Sequence, residues 1–70
     1  MPHFDPELVQ VIRSALEEVM TRVPSAHSTP SIKTYLAEHI LAAAAQGQTS
    51  HDELVASAAD QIEAAISLLT

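Results

Sequence analysis

Three helix-start signals divide this 70-residue chain into three segments of similar length. The sequences Asp-Pro-Glu at 5–7 and Thr-Pro at 29–30 each place a capping side chain directly before a proline, which suits the first position of a helix. The sequence Ser-His-Asp-Glu at 50–53 has the spacing of a capping box, in which the serine caps the amide of the glutamate. Since no stretch shows the alternation typical of a strand, the chain is predicted to be all-α.

Signals for helix ends complete this division. The first helix is expected over 6–22, because the residue before Pro24 avoids the α conformation. The second is expected over 30–46 and stops at Gly47, since glycine readily takes the left-handed conformation that follows many helices. The third is expected over 51–69. Residues 1–70 are therefore predicted to form a single compact three-helix domain, in which a short turn joins the second and third helices.

Each predicted helix has an apolar arc on one face and further apolar side chains outside it or at its edge. At 100° per residue, the arcs of the first and third helices, which include Val9 and Leu69 respectively, are about 140° wide, and that of the second is broader. Val11 and Leu68 lie outside these arcs, and Leu41 lies at the edge of one. Ile66 and Leu69 add apolar surface to the last turns of the third helix. These five residues are the candidate interface.

The size of the chain favours association with another protein. A domain of this length buries only about 60% of the surface that its unfolded chain exposes, so a lone monomer is marginally stable. The third helix also has no cationic side chain in its last turn to offset the helix dipole, so it should fray unless it is docked. The pattern leaves open whether it docks on the first helix or on a partner chain. A protein partner or self-association, including a homodimer, is expected.

The charge balance argues against nucleic-acid and membrane partners. Nine Asp and Glu residues oppose three Lys and Arg residues, which gives a formal charge of −6. The third helix, which would be the recognition helix of a helix-turn-helix, has no Lys or Arg to contact phosphates. The longest apolar run, 40–45, is far shorter than the ~20 residues that span a bilayer. Residues 1–7 lack the features of a signal peptide, so a cytoplasmic location is expected.

Residues with catalytic or metal-binding chemistry form no recognisable motif. The four histidines are at least 12 residues apart, so no two of them have the spacing at which metal ligands share a helix face. The chain has no cysteine and no Gly-x-Ser-x-Gly turn. No enzymatic activity, metal or cofactor is therefore predicted. The alternative hypothesis is a small-ligand-binding module or minor enzyme, with Tyr35, Glu38 and His39 near one rim of a pocket.

Three stretches carry a resemblance to a group of bacterial proteins: Thr-Pro-Ser-Ile-Lys at 29–33, Ala-Glu-His-Ile-Leu at 37–41 and Ala-Ala-Ala-Gln-Gly at 43–47. The chain resembles short uncharacterised helical proteins of alphaproteobacteria over most of its length. This resemblance implies a bacterial cytosolic origin and an all-helical fold, and it implies no activity, cofactor or site. The sequence as a whole favours a small acidic module that acts through protein–protein contact, as a homodimer or an accessory subunit.

Overall fold

The computed structural model describes residues 5–69, and every regular element in that range is helical. Four α-helices follow one another: α1 (Pro6–Arg22), α2 (Pro30–Ala45), α3 (His51–Ala59) and α4 (Ile62–Leu69). A short 3₁₀ turn at Ser25–His27 lies between α1 and α2. The Cα radius of gyration is 11.6 Å, close to the ~11 Å expected of a compact domain of this length. The all-α prediction is confirmed, although the structure has four helices instead of three.

The capping side chains of Asp5, Thr29 and Ser50 act as the sequence predicts, but the capping box is not reciprocal, because the Glu53 carboxylate accepts from the Ser50 hydroxyl instead of the Ser50 amide. The Oδ1 atom of Asp5 and the Oγ1 atom of Thr29 each accept a hydrogen bond from the amide three residues on, at 2.7 and 3.2 Å. The Oγ atom of Ser50 accepts from the amide of Glu53 at 3.2 Å, and its hydroxyl donates to the carboxylate of Glu53 at 2.9 Å. These caps satisfy amides that have no partner within the helix, which fixes where α1, α2 and α3 begin.

The end of α2 is a Schellman motif built on the single glycine of the chain. Gly47 has a φ of 104°, which an L side chain rarely adopts. Its amide donates to the carbonyl of Ala44 at 3.1 Å, and the amide of Gln48 donates to the carbonyl of Ala43 at 3.1 Å. The helix therefore ends at Ala45, one residue earlier than predicted, and a short turn leads into α3 as expected.

The prediction of one continuous helix over 51–69 is wrong, because the helix is interrupted at residues 60–61. The amide of Gln61 donates to the carbonyl of Ala58 at 2.9 Å, which is the tight bond of a 3₁₀ turn. Helical bonding resumes where the amide of Ala65 donates to the carbonyl of Gln61 at 2.8 Å. A continuous helix over 51–69 would be about 28 Å long, which is longer than α2 at about 24 Å. The turn instead directs α4 onto α2.

The helices pack around one core. α3 contacts both α1 and α2, α1 also contacts α2, and α4 packs mainly against α2. The third predicted segment therefore docks on helices of its own chain. Within the described range, the core contains 13 buried apolar residues: Ile12, Ala15, Val19, Val23, Ile32, Leu36, Ile40, Ala43, Ala44, Leu54, Val55, Ala58 and Ala65. Five of these are alanines, which allow the helix axes to approach closely.

Three apolar residues lie differently from the predicted arcs. Val9, inside the predicted arc of the first helix, is 38% exposed, whereas Val11, outside it, is half-buried against the core. Leu69, inside the predicted arc of the third helix, is 44% exposed. Leu69 lies in the last turn of α4, where it lines an open groove against α2, whereas Ala65, one turn earlier on the same face, is fully buried.

Candidate functional site

The five candidate interface residues fall into two groups. Val11 and Ile66 are half-buried and pack against the core. Leu41, Leu68 and Leu69 are 41, 68 and 44% exposed. These three leucines lie on α2 and α4, two helices that pack against each other. The most exposed large apolar side chains among residues 5–69 are therefore found on one pair of helices.

A stripe along α2 faces away from the core and is called here the outer face of α2. It consists of Pro30, Thr34, Ala37, Leu41 and Ala45. Their intervals of four, three, four and four residues place them on one side of the helix. Most buried residues of α2 lie on the other side, and buried Ala44 borders the stripe next to Ala37. All are exposed except Ala37, which is half-buried. From residue 40 to its end, α2 has no polar side chain at all.

Two charged residues flank the outer face of α2, one along each edge. At 100° per residue, Lys33 lies about 80° to one side of Leu41 and Glu38 about 60° to the other. Both are exposed, and neither forms an ion pair within residues 5–69. Their charges cancel, so α2 carries no net charge when His39 is neutral. Each of the other three helices carries more acidic than basic residues.

An open groove of about 390 Å³ lies where α4 meets the N-terminal half of α2. Its walls are Pro30, Ser31, Thr34, Tyr35 and Glu38 from α2, and Leu69 from α4. The groove thus joins an exposed leucine of α4 to the outer face of α2 and to the acidic edge of that face. Among residues 5–69, Glu38 is the one charged residue that lines it.

The three residues predicted to share a rim are only partly brought together. Tyr35 and Glu38 line the groove, but His39 does not. The ring of His39 instead packs on the ring of Tyr35, with centroids 4.9 Å apart and planes tilted by 47°. A second open groove, of about 320 Å³, lies beside the start of α1 and has Val11 in its wall. It shares no residue with the first groove.

An exposed charged cluster links α1 to α3. The carboxylate of Glu18 pairs with Arg22 at 3.1 Å and lies 3.9 Å from Nε2 of His51. The Nδ1 atom of His51 is also 3.7 Å from the carboxylate of Asp52. Because these groups lie at the surface, their mutual attraction is weak. Within residues 5–69, no group of three His, Asp or Glu side chains is placed to hold a metal ion. His3 lies outside that range.

Sequence reasoning identified the exposed leucines but missed the outer face of α2 and its two charged edges. The signal was present, because the intervals from Pro30 to Leu41 repeat as they do on the apolar face of a coiled coil. None of the helices within residues 5–69 has both the length and the apolar character that a membrane span requires. In comparisons with known proteins, the chain matches no family model, no curated protein and no solved structure.

Proposed function

We propose that this chain is a small interaction module that acts through protein–protein contact, with a second copy of itself or as an accessory subunit. The observation that carries this proposal is the exposure of Leu41, Leu68 and Leu69 on two adjoining helices. Single exposed leucines are common on soluble domains. Three of them on one pair of helices, with Leu69 lining an open groove, are more typical of a surface that another protein covers.

The outward sides of α1 and α2 support this reading. Ten residues of α1 are exposed, and eight of them are polar or charged. On α2, the exposed residues from position 40 onward are Leu41, Ala42 and Ala45. A helix that faces water on one side has polar residues there, whereas a helix that is apolar on both sides is typically covered on both. The outer face of α2 therefore suits contact with protein better than contact with water.

Light scattering over a concentration series tests self-association. The test compares wild type with Leu41→Lys, Leu68→Lys and the matched control Val9→Lys, which alters an equally exposed apolar residue on α1. The wild type and Val9→Lys are expected to gain apparent mass as concentration rises. Leu41→Lys or Leu68→Lys is expected to gain less, because burying an unpaired ammonium group in an interface is unfavourable.

Affinity capture with the same variants tests the accessory-subunit form of the proposal. A partner retained by the wild type and by Val9→Lys, but lost with Leu41→Lys or Leu68→Lys, supports it. The proposal is contradicted by a wild type that stays monomeric and retains no partner through these leucines. Circular dichroism of each variant checks that a lost interaction does not result from a lost fold.

Ligand binding and catalysis are favoured less than protein contact. Small-molecule sites enclose most of the ligand surface and converge several polar groups on it. The groove on α2 is open and offers one carboxylate among mainly apolar and hydroxyl-bearing side chains. The proposal therefore assigns no catalytic residue, metal or cofactor to this chain.

A further inference from the structure

We infer that the occupant of the outer face of α2 is a second copy of this chain, packed with the two α2 helices parallel across a twofold axis. This inference rests on the proposed function and specifies the partner. It predicts a contact between Leu41 residues of the two copies along the axis. It also predicts two ion pairs, each joining Lys33 of one copy to Glu38 of the other.

The distribution of charge favours a second copy over a basic partner. Each copy carries a formal charge of −6, so two copies repel each other, and the repulsion is weakest where the charges nearest the contact cancel. α2 is the helix of this structure on which acidic and basic residues balance. A basic partner would instead be attracted to the acidic surfaces of α1, α3 and α4. Among the four helices, α2 is therefore the one through which like-charged copies repel each other least.

The spacing along α2 fits a two-stranded helix pair. Pro30, Thr34, Ala37 and Leu41 follow the alternating four- and three-residue intervals of coiled-coil core positions. Lys33 directly precedes the core position at Thr34, and Glu38 directly follows the core position at Ala37. Residues at these two flanking positions form the ion pairs between helices that set partner and orientation in coiled coils.

The signs of the two flanking charges select the parallel orientation. In a parallel pair, the edge of one helix that carries Lys33 faces the edge of the other that carries Glu38. The two chains then form one ion pair on each side of the interface. In an antiparallel pair, each edge would face the same edge of the other chain. Lys33 would then meet Lys33, and Glu38 would meet Glu38. The opposite charges that meet in the parallel pair favour it, whereas the like charges that would meet in the antiparallel pair disfavour that arrangement.

The groove beside Glu38 has room for the incoming lysine. Tyr35 and Leu69 form apolar walls next to the carboxylate of Glu38. The methylene stem of Lys33 from the second copy can lie along such walls while its ammonium group reaches the carboxylate. The outer face is about 22 Å long and has one large apolar residue, so the interface is at the small end of specific interfaces. The dimer is accordingly expected to be weak and concentration-dependent.

Charge reversal on each edge tests the pairing. Lys33→Glu gives both edges a negative charge, and Glu38→Lys gives both edges a positive charge. Either variant alone is expected to dissociate about tenfold more readily than wild type, because two attractive pairs become repulsive. An equimolar mixture of the two is expected to form a heterodimer about as strong as the wild-type dimer. Sedimentation equilibrium measures all three samples.

The net charge of the variants separates specific pairing from general repulsion. Glu38→Lys changes the formal charge from −6 to −4, so general repulsion alone would strengthen its association. If Glu38 pairs with Lys33 of the second copy, Glu38→Lys is instead expected to weaken association. The matched control Glu17→Lys makes the same charge change on α1 and is expected to associate at least as strongly as wild type. The double variant Lys33→Glu/Glu38→Lys keeps the charge of −6 and is expected to restore the dimer.

The outcomes distinguish this inference from the proposed function. Weakened association of each single variant, a heterodimer of wild-type strength in the mixture and restoration in the double variant together support parallel pairing through α2. Single variants that associate as strongly as wild type, with a mixture that is stronger than wild type, would indicate an antiparallel pair and overturn the inference. If wild type associates but the mixture is no stronger than its components, parallel pairing through α2 is overturned while the proposed interaction module stands. If wild type is monomeric and its exposed leucines bind no partner, both are overturned.

Discussion

α1 and α2 are built alike on their inner sides and differently on their outer sides. They contain 17 and 16 residues, and each begins with a capping side chain followed by proline. Each also buries a line of apolar residues in the common core. Outward, α1 presents glutamates, arginines and small polar residues, whereas α2 from residue 40 onward presents leucine and alanine. The inner sides explain the fold, and the difference between the outer sides is what points to function.

The neighbouring positions 40 and 41 allow the inner and outer faces of α2 to be compared directly. Ile40 is fully buried and Leu41 is 41% exposed. Ile40→Ala is expected to lower the free energy of unfolding by about 2–5 kcal/mol, because it leaves a cavity among core residues. Leu41→Ala is expected to lower it by less than about 1 kcal/mol. Urea denaturation at low protein concentration measures both, and equal losses would contradict the assignment of the two faces.

The ends of α1 and α2 also differ. α1 ends at an extended residue before Pro24, whereas α2 ends on Gly47 at a φ of 104°. Gly47→Ala is expected to destabilise the domain by about 1–2 kcal/mol, since the backbone conformation is unfavourable for an L side chain. The added Cβ atom would meet nothing within 4 Å, so the cost comes from the backbone alone. Urea denaturation against the control Gln46→Ala measures it, and equal stability of the two would refute this explanation.

Giving α2 an outer face like that of α1 separates folding from association. In Leu41→Glu/Ala45→Lys, a glutamate and a lysine stand four residues apart, an arrangement that stabilises helices slightly. The free energy of unfolding is expected to change by less than about 1 kcal/mol, while self-association is lost. Circular dichroism and light scattering check the two expectations. A variant that folds and associates like wild type would show that the outer face of α2 is not an interface.

The smallest effect is expected on the outer face of α1. Glu18→Gln removes the ion pair with Arg22 and the nearby charge facing His51. Because these groups are exposed, the loss of stability is expected to be about 0.3–0.5 kcal/mol and to disappear at high salt. Urea denaturation at two salt concentrations measures it, with Glu17→Gln as the control. A loss above about 1 kcal/mol would mean that the cluster holds α1 to α3 more firmly than its exposure indicates.

Local signals in the sequence predict most of the fold. The caps at Asp5, Thr29 and Ser50 and the end at Gly47 depend on hydrogen bonds within a few residues, and the structure confirms them. The interruption at residues 60–61 has no such signal, because neither position is proline or glycine. After the interruption, α4 packs on α2, a helix far away in the sequence. That relation arises only when the helices pack, so a helical wheel cannot contain it.

The candidate site was predictable only where it depends on periodicity within one helix, and not where it depends on how the helices pack. Leu41 and Leu68 stand outside or at the edge of the apolar arcs, so their exposure follows from periodicity. The exposure of Val9 and the partial burial of Val11 do not follow from periodicity, because neighbouring helices determine which flank of α1 is covered. The importance of Lys33 likewise depends on which side of α2 the other helices leave open. The similarity to helical proteins of alphaproteobacteria and the cytoplasmic location stay predictions.

Oxidative cross-linking at Leu41 is the most direct test of the claim that two outer faces of α2 meet. The chain contains no cysteine, so Leu41→Cys and the control Val9→Cys each introduce a single thiol. In the parallel pair the thiols at position 41 lie opposite each other, within the range that a disulfide requires. Leu41→Cys is expected to form covalent dimers at least about tenfold faster than Val9→Cys, and urea should remove the difference. Equal rates in the folded proteins would contradict the account.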